Sequence, residues 1–350
     1  MNLAIIFGGK STEHNISIVS ATNIIYNLNK DKYKIFPIYI SKEGLFYEYT
    51  TPPKDIKILT INDTIKELKP IDNIINYLKN IDVAFPVLHG LYGEDGTIQG
   101  LLELLGIKYV GCKVLSSSIC MDKVYTKIIF ERANINTAKS MYLKKDKNNY
   151  IYLDNTFNTF KLNSEELSNK VKDYLNYPVF IKPSNQGSSV GVNKATNSKE
   201  LIKYLDIAFK YDSKVLIEET INGKEVECAI LGNDTLTVST VGEIKSAEEF
   251  YSFNSKYKNK DSITLIPADL PNNIIEEIKY LAQKAYIACD CKGLSRIDFF
   301  IEEKTNKIYI NEINTLPGFT SISMYPKLME HSNISYSNLL DKLIELALED

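Results

Sequence analysis

The chain has 350 residues, 41 basic and 44 acidic, for a formal net charge of −3. At 44% apolar and 24% charged it can bury a core divided over two or three domains, which excludes a disordered or collagen-like chain, and its balanced charge implies no nucleic-acid partner. No apolar run is long enough to cross a bilayer, and Met1-Asn2-Leu3 leads straight into a strand-like segment instead of a signal peptide, so a cytoplasmic protein without a membrane partner is expected.

The first third alternates β-rich runs (Leu3 to Phe7, Tyr33 to Ile40, Asp82 to Leu88) with helical patterns such as Thr97 to Gly106, where Ile98, Leu101, Leu102 and Leu105 share a face. This βα alternation predicts a parallel sheet whose ligands gather beyond the carboxyl ends of the strands, where Gly8-Gly9 and His89-Gly90 lie. A helix is predicted over Asp122 to Ala133, and the polar stretch from Leu143 to about Asn163 reads as a surface excursion. From Pro178 onward short strands at Val179 to Lys182, Val190 to Lys194, Val215 to Glu219, Val226 to Leu231 and Leu236 to Val241 dominate. With helices at Lys199 to Tyr211 and Asn273 to Ala288, they predict an α+β region. The five cysteines lack paired CxxC spacing and a nearby His cluster, so they read as buried thiols rather than disulfides or a zinc site.

Gly9-Lys10-Ser11 is not a P-loop, because Ala4 stands where that motif needs a glycine, and no GxGxxG follows the first strand. Ser11 is expected to cap the following helix, with Glu13 in its first turn, either at the positive helix end or gripping a substrate ammonium. Lys182 to Val192 puts a cation at the end of an apolar strand, then a loop of small residues, then another strand. Gly187 and Gly191 allow close backbone approach, so the loop reads as a phosphate cradle or an ordinary hairpin turn. Phe250 to Lys258, aromatic and basic, reads as a lid over an anionic ligand.

Arg296 to Ile301 and Ile308 to Asn314 read as one hairpin turning near Thr305. Antiparallel pairing then sets Asp298 opposite Glu312 and Arg296 opposite Asn314, with Phe300 and Ile310 on one face. Like charges opposite each other destabilise a sheet, so the pair makes sense around a hard divalent cation, Mg²⁺ being the natural choice; the alternative is an exposed acidic hairpin with Arg296 and Lys307 as counterions. The small-residue turn Leu316 to Ser323 offers N–H and hydroxyl donors for an oxyanion or carboxylate.

In order and spacing, Gly8 to His14, Leu88-His89-Gly90 with Gly93 to Gly96, Cys120 to Lys123, the Lys182 to Gly191 loop, Asn311 to Gly318 and Tyr325-Pro326-Lys327 resemble the D-alanine:D-alanine ligases of the ATP-grasp superfamily over nearly the whole chain. The resemblance implies an α/β and α+β chain with the ATP-grasp fold. Its N-terminal parallel-sheet domain would span 1–121, with a central ATP-grasp subdomain over 122–217 and a C-terminal subdomain over 218–350. It implies ATP-dependent joining of two D-alanines through an acyl phosphate, for peptidoglycan synthesis, by a homodimer using two Mg²⁺ ions that Mn²⁺ can replace. A D-alanine:D-serine ligase is the alternative, and a non-catalytic ATP-binding regulatory protein a remote one. The implied metal ligands are Asp298, Glu312 and Asn314. Lys123, Lys182, Ser189, Glu218, Glu219, Ile221, Glu225, Lys256 and Phe300 would bind ATP. Glu13 would hold the first ammonium and link to Ser188 and Tyr257, Arg296 and the Gly318 N–H would stabilise the oxyanion, and His89, Lys256, Ser323 and Met324 would contact substrate.

Overall fold

The computed structural model describes residues 1–50, 67–245 and 263–349, in which three sheets follow one another along the chain. The first is made of β1 (Asn2–Gly8), β2 (Lys34–Ile40), β3 (Phe46–Tyr49), β4 (Leu68–Pro70), β5 (Val83–Pro86) and β6 (Lys108–Tyr109), in the order β4-β3-β2-β1-β5-β6. Strands β1, β2, β5 and β6 pair in parallel, and α1 (His14–Asn27), α2 (Ile74–Leu78) and α3 (Thr97–Leu104) lie between strands in the chain. Leu3 to Phe7 are all buried, which is why this central strand is apolar without alternation. At the carboxyl ends of β1 and β5 the chain turns through Gly8, Gly9 and Gly90, each with positive φ.

Two short helices, α4 (Val114–Met121) and α5 (Lys123–Arg132), lead into the second sheet. It contains β7 (Ser140–Asp146), β8 (Asn149–Leu153), β9 (Thr159–Leu162), β10 (Val179–Pro183), β11 (Asn193–Ala195) and β12 (Lys214–Glu219), covered by α6 (Ser164–Tyr174) and α7 (Ser198–Ala208). The order is β11-β10-β12-β7-β8-β9, antiparallel throughout. The stretch from Leu143 to Asn163, expected as an excursion, is instead a meander that widens this sheet. Tyr142, Leu143 and Tyr150 are buried, and the polar residues serve its turns, where Asp154 accepts from the N–H groups of Thr156 at 2.8 Å and Asn158 at 2.9 Å. The strand expected from Val190 begins only at Asn193, because Ser188, Ser189 and Gly191 adopt left-handed conformations that end any extended run.

The third sheet has the order β15-β14-β13-β16-β17, from β13 (Gly223–Leu231), β14 (Thr237–Lys245), β15 (Ile263–Leu265), β16 (Leu294–Glu302) and β17 (Ile308–Asn314), with α8 (Asn272–Ala288) against it. After it, α9 (Met324–His331) and α10 (Tyr336–Glu349) return to the first sheet. Leu339, Leu340, Leu343 and Ile344 share one apolar cluster with Leu3, Phe7 and Ile24, tying the two ends of the chain together. The five cysteines are free and buried. Among the described residues no helix is long and apolar enough to cross a membrane.

Candidate active site

The β16–β17 hairpin has the expected register where it bears the acids: Asp298 pairs with Glu312 and Arg296 with Asn314. One step further a bulge intervenes, so Ile310 faces Phe299 and packs in its cluster, while Phe300 faces Tyr309. The expectation that Phe300 and Ile310 share a face is corrected in that respect, although both line one cavity. Asp298 is buried and accepts from Arg296 Nε and Nη2, both at 2.7 Å, and from Asn314 Nδ2 at 3.0 Å. Burial disfavours the Arg296 charge, but Asp298 and Glu227 outweigh it and hold the guanidinium pKa well above its ordinary value. Glu312 Oε2 lies 3.7 Å from Lys123 Nζ, which also donates to the Gln186 carbonyl at 2.8 Å.

A cavity of about 560 Å³ runs between the second and third sheets, bounded by Phe180, Lys182, Ile221, Phe300 and Ile310 along its apolar and cationic walls. Lys182, at the end of β10, meets Glu218 of β12, and its Nζ also donates to Asn311 Oδ1 at 3.3 Å. The buried Glu218 carboxylate is gripped from its other side by Lys127 Nζ, at 2.8 Å. Burial pushes the Glu218 carboxyl up, but the two ammonium groups win and lower it to about 2. Glu219 Oε1 accepts from the Lys139 N–H at 2.8 Å; Ser189, Glu219 and Glu225 also line the cavity, Glu225 opposite Phe300.

A second cavity, about 120 Å³, adjoins the first, and Lys123, Gln186, Ser188, Ile244 and Glu312 line both. Its far wall is the Gly318 turn with Ser323 and Met324; its near wall is Glu13, His89 and Arg296. Glu13 stands at the positive end of α1 as its N-cap residue, in the place expected for Ser11, and its side chain makes no cap hydrogen bond. Ser11, two residues before it, accepts from the Glu13 N–H at 3.2 Å through its Oγ and donates to the His89 carbonyl at 2.6 Å. The Glu13 carboxylate accepts a hydrogen bond from Ser188 Oγ, and it fits because Gly90 and Gly187 are bare: a Cβ would stand 2.6 Å and 2.9 Å, respectively, from Glu13 Oε2. His89 is buried between Ser20 Oγ at 3.1 Å and the Leu316 carbonyl at 3.2 Å. Burial pushes its imidazole pKa down, but Glu94, Glu13 and that carbonyl outweigh it and raise the pKa. Ser323 Oγ accepts from the Thr320 N–H at 3.0 Å, and a Cβ on Gly318 would come within 2.8 Å of that oxygen.

The donors of Asp298, Glu312 and Asn314 are hard oxygens, the type Mg²⁺ takes, so the hairpin fits a magnesium site. Lys256, Tyr257 and the rest of the predicted lid fall outside the described residues.

Residues 2–112 match the family described as D-ala D-ala ligase N-terminus, and residues 146–345 the family described as D-ala D-ala ligase C-terminus. The chain belongs to the D-alanine:D-alanine ligase family. A curated D-alanine--D-alanine ligase of Caldicellulosiruptor bescii is 48% identical, covering 100% of this chain and 95% of its own length. The solved VanG D-Ala:D-Ser ligase of Enterococcus faecalis superposes with a TM-score of 0.84 at 39% identity, covering 99% of each chain. A D-alanine--D-alanine ligase of Bacillus anthracis, solved in complex with ATP, gives 0.75 at 34% identity over 100% of this chain and 98% of its own. The three-sheet architecture is thus the ATP-grasp fold of these ligases.

In this ligase scaffold two contributors escaped the sequence reading. Lys127 is one turn after Lys123 on α5, so the i, i+4 spacing could have placed both on the cavity side. The Asp122 anchor had no sequence signal beyond an N-cap residue. Asp122 accepts from the Val124 N–H at 3.0 Å and the Ser184 hydroxyl at 2.6 Å, and pairs with Lys214.

Proposed function

We propose that the chain joins two D-alanines at the cost of ATP. The D-alanine carboxylate attacks the γ-phosphorus, releasing ADP and leaving an acyl phosphate. The amine of a second D-alanine then attacks the acyl carbon, phosphate departs, and D-alanyl-D-alanine remains. The observation that carries this reading is the shared wall: a cavity sized for a nucleotide meets one sized for small amino acids at Lys123, Ser188 and Glu312, where a phosphoryl group would pass.

Each residue then has a task. Lys123 and Lys182 neutralise phosphate oxygens, Ser189 with the cradle backbone donates to them, and Glu218, Glu219, Ile221, Glu225 and Phe300 hold base and ribose. Glu13, fixed by Ser188 and completed by Tyr257, receives the first ammonium beside His89. Arg296 and the Gly318 N–H meet the oxyanion, and Ser323, the Met324 N–H and Lys256 receive the second carboxylate. Two magnesium ions, or manganese in their place, held by Asp298, Glu312 and Asn314, would neutralise the phosphate charge. The family also supports a cytoplasmic homodimer that supplies peptidoglycan precursor, without nucleic acid or membrane.

The likeness to a D-Ala:D-Ser ligase favours one second reading, D-serine as the second amino acid, since an apolar pocket rejects an added hydroxyl poorly. Phosphate release from ATP and Mg²⁺ with D-alanine alone, then with D-serine or D-lactate added, separates them. Dipeptide formed stoichiometrically with ADP from D-alanine alone is expected; ADP without dipeptide would sink the mechanism, and turnover that requires D-serine would replace the second substrate.

A further inference from the structure

Three carboxylates lie in one cross-strand row of the third sheet: Glu227 of β13 pairs with Asp298 of β16, which pairs with Glu312 of β17. Like charges so placed repel, and two of the three are almost fully buried, Glu227 and Asp298 at 2% exposure. They nonetheless do not gather as a metal cage. What separates them is Arg296, two residues before Asp298 on the same face of β16, whose Nε stands 3.0 Å from Glu227 Oε2. Nothing in the ligase reaction as assigned above uses Glu227, yet it lines the amino-acid cavity together with Arg296.

Asp298 holds the guanidinium through two donors but has a second claim on its oxygens, the divalent cation, which would also repel Arg296. Glu227 meets the same guanidinium from the adjacent strand, and its own register neighbour on β14 is Gly242. We propose that Glu227 is a positioning residue for the ligation: it holds the Arg296 guanidinium from the β13 side, keeping that cation aimed into the amino-acid cavity when Asp298 is shared with metal. This rests on the ligase reading, in which Arg296 meets the oxyanion. A misplacement of the group facing the transition state is felt in turnover far more than in nucleotide binding.

The test compares Glu227→Gln, Arg296→Gln and the double variant in kcat, KM for D-alanine, ATP affinity by titration calorimetry and melting temperature. Glu227→Gln is isosteric and is expected to lower kcat about 10- to 100-fold, with ATP affinity within about twofold and melting little changed. In the Arg296→Gln background the same change should add less than about twofold, because a residue acting through Arg296 has nothing left to position. Wild-type kcat in Glu227→Gln, or full additivity in the double variant, overturns the proposal. Wild-type kcat in Arg296→Gln overturns the assignment of Arg296, a separate failure. Should Glu227→Gln not fold, Glu227→Asp keeps the charge and withdraws it by one methylene. Lowered kcat at preserved ATP affinity then supports the proposal, and unchanged kcat overturns it.

Discussion

Gly187 constrains Glu13 in the amino-acid cavity by having no side chain. Gly187 does not need a left-handed backbone, so replacing it by alanine adds one methyl group and no main-chain strain, yet that methyl would lie 2.9 Å from Glu13 Oε2. Gly187→Ala is therefore expected to lower kcat/KM for D-alanine by about 100-fold while urea denaturation shows little change. An equal loss of ATP affinity would mean that Glu13 is not the group displaced. Glu218 makes a different statement. Its carboxyl is held down to about 2, against an ordinary 4.5, so it binds fewer protons in the folded state than in the unfolded one. The stability it supplies is present above pH 4.5 and fades as pH falls from 4.5 toward 2. Removing Lys127 by Lys127→Met should narrow that acid-sensitive span as well as lower stability overall, and unfolding curves at pH 6 and pH 3 would reveal whether it does.

Helix α5 shows how a local capping rule places Lys123 at the cavity wall. Asp122 is its N-cap, and Lys123 is the first helical residue, whose N–H donates to the Ser184 carbonyl at 3.1 Å across to the phosphate cradle. The cap carboxylate also holds Ser184 and the mostly buried Lys214, so one side chain joins α5, the cradle and β12. Asp122→Ala removes the cap and strands an ammonium. A loss of about 2–4 kcal/mol in unfolding free energy is expected, together with a raised KM for ATP. A stability loss without any effect on ATP would show that Lys123 keeps its place unaided. The β7–β8–β9 meander makes the opposite point: its buried Met141, Tyr142, Leu143 and Tyr150 stand among Lys, Asn and Asp residues, and that polar composition masked the strands.

Three sheets each bring one part of the chemistry, and the closure of the chain on itself holds them together. The apolar face of α10 packs against β5, β6 and α1, so the last residues of the chain complete the core of the first sheet and keep the Gly8-Gly9 and His89-Gly90 turns beside the Gly318 loop. The hydrogen bond between His89 and the Leu316 carbonyl crosses 227 positions of sequence. Phe319 Nα–H donates to Ser20 Oγ at 3.3 Å, and Tyr336 Oη to the Phe319 carbonyl at 2.7 Å, locking the same junction.

Much of this was readable from short-range chemistry. The parallel N-terminal sheet follows from apolar runs punctuated by glycine turns, and the pairing of Asp298 with Glu312 follows from the two-residue period of a hairpin, because both depend on neighbours within a few residues. The bulge that parts Phe300 from Ile310 was not readable, since an extra residue in one strand leaves no mark on hydropathy. Nor were Glu227 against Arg296 or Lys127 against Glu218; the link of Glu13 to Ser188, 175 positions away, was named only through the family resemblance. Charge partners of that kind are chosen by packing: burial first makes an unpaired charge costly, and only the folded arrangement of strands settles which opposite charge is near enough to answer it.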